Sequence, residues 1–276
     1  MKDEASSSQA TFVRHLGEGE RKVLALHCTI AHSRAWAGLA AALKDEATLI
    51  APDMLFHGQS PDWDGEGDVF EAVTRQALDQ LTEPLDVIGH SFGGMIALRL
   101  AIEYPELVRS AVLIEPVFFA VVKQDAPHLV QDHDREAQPY LTALAAKDNR
   151  LAARLFNRMW TLDDGPRWPD LPERTRAAME RGIQLVAPVE DVLFDDRLGL
   201  LKAGQLDRAT MPVLLLRGSR TQPTIQVINT GLQNRLPSAS DRVIDGAGHM
   251  LPISHPHETA EQILRFWGAK ENARSE

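Results

Sequence analysis

One cysteine, Cys28, occurs in 276 residues, so no disulfide can close within the chain. That fits a reducing compartment. A basic excess is also missing: 29 Lys and Arg face 39 Asp and Glu, for a net charge of -10. Nucleic acids and anionic membranes both need a basic face, so neither is expected as a partner. No long hydrophobic run exists. The longest nearly apolar stretch, residues 111–122, is broken by Glu115 and Pro116 and is too short to span a bilayer. The opening MKDEASSSQA lacks the apolar centre of a signal peptide. The expectation is a soluble, cytoplasmic protein.

What is present suffices for a large core. Hydrophobic residues make up 44% and charged residues 25% of the chain, which suits one main domain with a sizeable insertion. Residues 1–10 are polar and expected to be disordered. Short apolar runs then alternate with helical patterns. VLALH (23–27), ATLIAP (47–52), LDVIG (85–89) and SAVLIE (110–115) read as strands. Residues 33–45, 68–81 and 92–104 read as helices, the first opened by a Ser33 cap. From 117 to 207 no strand pattern occurs. Alternation resumes with PVLLLRG (212–218), a helix over 224–236, DRVID (241–245) and a last helix over 257–268. Apolar strands separated by helices imply an α/β fold, with a mostly parallel sheet covered on both faces. The expected organisation is a core of residues 11–116 and 208–276. A helical insertion, 117–207, would lie over one edge of the sheet.

The chemistry concentrates at GHSFGG, residues 89–94. Gly-x-Ser-x-Gly between a strand and a helix is a nucleophile elbow. The turn strains Ser91, small neighbours give clearance, and the following helix aims free N–H groups at the hydroxyl. A serine hydroxyl needs a base. His249 lies in DGAGHMLP (245–252), between the last strand and last helix, with small residues that let the loop bend over the sheet. His255 and His257 read as surface or capping residues. His90 should point away from the hydroxyl, and His27 reads as structural.

These segments carry a resemblance. HCTIAHSRAW, APDMLFHGQS, GHSFGG, PVLLLRG and GAGHMLP, in that order, resemble the α/β-hydrolase superfamily from about Thr11 to Trp267. The resemblance implies a helical lid at 117–207. It also implies an oxyanion hole built from the backbone N–H groups of Phe92 and Thr29. Where the family usually has His-Gly, this chain has His27-Cys28, and Cys28 reads as a packed thiol. The family's usual acid would fall near Thr221, yet no Asp or Glu occurs from 209 to 240. A minority of the superfamily carries the acid at the tip of the strand after the nucleophile helix. Here that residue is Glu115, and the crossover rule sets its strand beside the nucleophile strand. Asp191 of the insertion is a weaker alternative. Asp53 reads as structural and Asp245 as a brace for the His249 loop.

The implied activity is a serine hydrolase cleaving an ester-like acyl bond of a small apolar substrate. Phe118, Phe119 and Trp160 are expected to line its pocket. No metal or organic cofactor is implied, and no oligomeric state. Ser91 argues against epoxide or halide chemistry by a carboxylate nucleophile. Carbon–carbon bond hydrolysis and lactone opening stay open. So does a low-turnover ligand-binding protein, motivated by the missing acid at Thr221.

Overall fold

A computed structural model describes residues 10–274, with side chains through residue 268. Of the segment expected to be disordered, only Ala10 falls within it. Seven strands form one sheet: β1 (Val13–Leu16), β2 (Arg21–Leu26), β3 (Ala47–Pro52), β4 (Leu85–His90), β5 (Val108–Ile114), β6 (Val213–Gly218) and β7 (Ala239–Ile244). Their order is β1-β3-β2-β4-β5-β6-β7. Only β1 runs antiparallel, against β3. The other pairs are parallel, with His90 opposite Ile114 and Ile114 opposite Leu216.

Eleven α-helices accompany the sheet among the described residues. They are α1 (Ala37–Leu43), α2 (Val69–Leu78), α3 (Phe92–Glu103), α4 (Phe119–Asp125), α5 (His128–Ala145), α6 (Asn149–Trp160), α7 (Glu173–Gly182), α8 (Glu190–Asp195), α9 (Pro223–Gln233), α10 (Leu251–Ser254) and α11 (Pro256–Arg274). Consecutive strand residues point to opposite faces, and the core divides accordingly. Val87, Leu113 and Leu215 pack with residues of α2, α3, α4 and α9. Ile88, Val112 and Leu214 pack with α1 and α11 on the other face. Helix α3 is buried along its length apart from Glu103, which explains its mostly apolar sequence; its one interior charge, Arg99, is paired with Glu71 and Glu103. No helix among the described residues is long and apolar enough to cross a membrane.

The stretch between β5 and β6 is helical, as its pattern implies. Its Trp160 lies against the ring of His249, in the loop after β7. Its boundary with the core is less sharp than the sequence suggests, because Phe118, Val121 and Val122 belong to the main core. Arg181 ties α7 to the turn after β3, donating to Gly58 O (3.0 Å), Ser60 O (2.5 Å) and the Asp62 carboxylate (2.6 Å).

The segment expected to be a helix from Ser33 begins instead as a 3₁₀ turn, Ser33–Trp36. Ser33 is not the cap. Its N–H donates to Asp53 Oδ1 (2.7 Å), and the His32 side chain accepts from Arg34 N. Asp53 Oδ2 accepts from Gln59 N (2.8 Å), so this buried carboxylate joins the loops after β2 and β3.

Two buried histidines stiffen the same corner. His57 Nδ1 donates to Leu55 O (2.7 Å), and its Nε2 accepts from Ile30 N (3.0 Å). His27 Nδ1 donates to Cys28 O (2.8 Å), and its Nε2 accepts from Met54 N (3.0 Å). One donating and one accepting nitrogen require the neutral ring. Burial is the main reason both stay neutral: it lowers His27 from 6.5 to about 4 and His57 well below 6.5. In α5, His133 lies 4.2 Å from the Phe119 ring, and burial lowers it to about 4.

Two predictions follow from this frame. Gly93 has no room for a side chain, since a methyl there would lie 2.1 Å from Leu26 O and 2.6 Å from His27 O. Gly93→Ala should lose at least about 2 kcal/mol of stability, read as a lower urea midpoint; an unchanged midpoint would contradict the packing described. The second concerns acid. His27 and His133 have folded pKa values below their unfolded value of 6.5. Their contribution is therefore complete above pH 6.5 and drains away as pH falls towards 4. Each accounts for on the order of 3 kcal/mol. The urea midpoint should fall steadily across that window, and a flat profile would count against it.

Candidate functional site

The site is assembled at the carboxyl ends of β2, β4, β5 and β6 and from the loop after β7. Ser91 follows β4 directly, with φ 55° and ψ -115°. A non-glycine residue seldom adopts a positive φ. Its amide is held by Ile114 O (2.8 Å), which fixes the elbow against the end of β5. Its carbonyl accepts from Gly94 N and Met95 N as α3 begins. The hydroxyl is thereby set at the positive end of a buried helix.

Glu115 comes one residue after β5, also at positive φ (45°), and is completely buried. Its amide donates to Leu216 O (2.9 Å), extending the ladder to β6. Its carboxylate takes three hydrogen bonds. Gly218 N donates to Oε1 (2.8 Å), Thr221 Oγ1 donates to Oε2 (2.7 Å), and His249 Nδ1 meets Oε2 at 2.7 Å. Thr221 thus stands where the family's usual carboxylate would fall, and it orients the carboxylate that comes from the neighbouring strand.

The stretch after β6 also shapes the His249 loop. Gly218 has no space for a Cβ, which would lie 2.1 Å from Ala247 O. Arg220 N donates to that carbonyl (2.8 Å), and Gly246 N donates to Ser219 Oγ (2.8 Å). Ser219 Oγ in turn donates to Asp245 Oδ1 (3.0 Å), so Asp245 braces the loop as read from the sequence. His90 is buried, and its Nε2 donates to His249 O (2.8 Å). Burial, then the neighbouring His249, keeps His90 neutral. The His249 ring is also stacked obliquely on Trp160, with centroids 4.3 Å apart.

Ser91 and His249 line one cavity, but no hydrogen bond joins Ser91 Oγ to His249. Such contacts are commonly long in unliganded sites and tighten when substrate fills them. The amides of Phe92 and Thr29 donate to no protein acceptor among the described residues. Thr29 lies beside Ile30, whose φ of 59° is held by the hydrogen bond to His57. Burial pushes the Cys28 thiol up to about 12, which makes it an inert packed side chain. Asp191 is committed elsewhere, paired with Arg197 at 2.6 Å.

Two cavities meet at Ser91, Thr29, Phe156 and Trp160. The inner one, about 650 Å³ with its opening, is the more enclosed and is walled mainly by aromatic and aliphatic side chains, among them Phe119, Tyr140, Leu193 and Phe194. The outer one, about 850 Å³, adds His32, Arg34, His249 and Met250. Phe119 and Trp160 line the inner cavity, whereas Phe118 does not. It is fully buried in the core, because it precedes α4 on the side facing the sheet. The sequence also left unread the support from His57 and Thr221. Its one signal was the run of polar residues at strand tips, where an apolar chain would otherwise continue.

No group of three or more His, Cys, Asp or Glu side chains able to hold a metal occurs among the described residues. The arrangement is a strained serine at a helix N-terminus, a carboxylate-bound imidazole and two unused amides, which are the components of nucleophilic acyl transfer.

Comparison with known proteins identifies the family. A lipase, LipV, from Mycobacterium tuberculosis is 27% identical over 265 residues, covering 93% of this chain and 97% of its own. A pimeloyl-[acyl-carrier protein] methyl ester esterase from Nitrosomonas europaea is 27% identical over 246 residues, covering 88% and 93%. Among solved structures, a Pseudomonas aeruginosa chain provisionally assigned as an epoxide hydrolase superposes with a TM-score of 0.74 at 25% identity. It covers 95% of this chain and 92% of its own. Residues 22–256 match the profile described as the alpha/beta hydrolase fold, and the chain belongs to that family.

Proposed function

We propose that the protein is a serine hydrolase that cleaves a carboxylic ester through an acyl-enzyme intermediate. The observation that carries this reading is the 2.7 Å contact between buried Glu115 and His249 Nδ1, beside a serine in a strained elbow. The same contact weighs against a low-turnover binding protein, since it offers the imidazole a carboxylate although Thr221 cannot supply one. Support for esters comes from the lipase and the methyl ester esterase to which the chain is similar. A serine in place of a carboxylate at the elbow weighs against epoxide opening by a covalent carboxylate route.

In this mechanism Ser91 Oγ attacks the ester carbonyl while His249 Nε2 takes its proton. The Nδ1–H remains on the Glu115 side, and the carboxylate offsets the imidazolium charge. The oxyanion is held by the Phe92 and Thr29 amides. His249 then protonates the leaving alcohol, the carbon–oxygen bond breaks, and the acyl group stays on Ser91. A water deprotonated by His249 attacks next, and Ser91 recovers its proton as the acid departs.

The leaving oxygen must reach His249 to be protonated. The outer cavity, which His249 lines, is therefore the alcohol side. The inner cavity, which His249 does not line, is the acyl side. The helices between β5 and β6 then act as a lid that shapes the acyl side.

Ser91→Ala should lower kcat by about 10⁶ on the best substrate from a panel of esters, lactones and diketones, with the circular dichroism spectrum unchanged. Retained turnover would remove Ser91 from the mechanism. Glu115→Gln keeps the shape and loses the charge. It should lower kcat by roughly 10²–10⁴ with a smaller change in KM. A folded Gln variant with native kcat would show that no carboxylate is needed there.

A further inference from the structure

The inner cavity is lined in part by residues of α5 and α8. Asp134 and Glu190 both line it and are both exposed. Neither has an ion-pair partner among the described residues. They converge on Tyr140: burial, then Glu190 and Asp134, raise the Tyr140 phenol above its ordinary pKa. The cations of this region are already committed. Lys123, over the Phe194 ring, pairs with Asp195 at 2.7 Å. Arg135 pairs with Asp132, and Arg197 with Asp68 and Asp191.

A second feature of the wall points to a ligand. His133 is 5% exposed, lines the inner cavity, and its Nδ1 has no hydrogen-bond partner. It sits among Phe119, Trp160 and Phe194, with ring centroids 4.2, 6.2 and 5.6 Å away. A buried nitrogen without a partner costs stability unless something fills its place. Burial keeps this ring neutral near pH 7, so it brings no positive charge to the mouth.

We propose that the far mouth of the acyl cavity selects substrates by charge, accepting acyl chains that end in a cationic or neutral group and rejecting those that end in a carboxylate. This rests on the serine-hydrolase reading and names its substrate class: esters of apolar acids whose far end carries no negative charge. The aromatic walls add to the preference, because Phe and Tyr faces attract an ammonium group. Two carboxylates at the mouth separate a cationic from an anionic chain end by roughly one to two orders of magnitude at low salt. Added salt screens that difference.

The test uses three p-nitrophenyl esters of one chain length, ending in methyl, trimethylammonium or carboxylate. The native protein is compared with the double variant Asp134→Asn, Glu190→Gln, and the Ser91→Ala rate is subtracted as background. Both substituted side chains are exposed, so the core is not disturbed. The expected result is a kcat/KM ratio of cationic to anionic ester of about ten or more, expressed mainly in KM. It should fall towards one in the double variant and in high salt. A native ratio near one, or a ratio unchanged in the double variant, overturns the proposal while leaving the hydrolase reading intact. Failure of the folded native protein to hydrolyse even the neutral ester overturns both.

Discussion

A carboxylate with no exposure to water holds this site together. Placing Glu115 in the interior is costly unless every oxygen is engaged. The structure meets that condition with Gly218 N on one oxygen and Thr221 and His249 on the other. These partners come from the end of β6, the loop after it, and the loop after β7. One side chain from β5 thus sets the relative positions of three neighbouring segments. Removing it would leave an imidazole without its partner and a buried amide without its acceptor.

Several strained backbone positions lie directly after strands or in the loops that follow them. Ser91, Glu115, Ile30 and Phe56 are all non-glycine residues at positive φ. Each has a neighbour that fixes it. The Ser91 amide is held by the end of β5, the Glu115 amide by β6, and Ile30 by His57. Phe56 is fixed through its amide, which donates to Pro61 O (3.0 Å). Strain of this kind persists only where surrounding contacts over-determine the conformation. The two packed faces of the sheet provide that rigidity, and helices between β5 and β6 wall the cavity above it.

Much of this was legible in the sequence because it depends on local pattern. The elbow is contiguous, strand-turn-helix order can be counted, and the crossover rule brings the ends of β4 and β5 together. Glu115 could be singled out since it ends an apolar strand that nothing else explains. Other features depend on distant partners. Ser33 has the composition of a helix cap, but Asp53 captures its amide. β1 is four residues long, too short to show alternation, and exists because β3 offers an edge. Phe118 and Phe119 are adjacent and equally apolar, and only the direction of α4 decides which meets the cavity. Thr221 reads as a deficit in the chain and becomes a hydrogen-bond donor once Glu115 lies opposite.

The central claim is that Ser91 is a nucleophile activated by a carboxylate-held imidazole. Covalent labelling with a fluorophosphonate, followed by peptide mass mapping of the folded protein, tests it most directly. The account predicts a single stoichiometric adduct on the peptide that carries Ser91. An adduct on another residue, or no adduct in a folded sample, would contradict it.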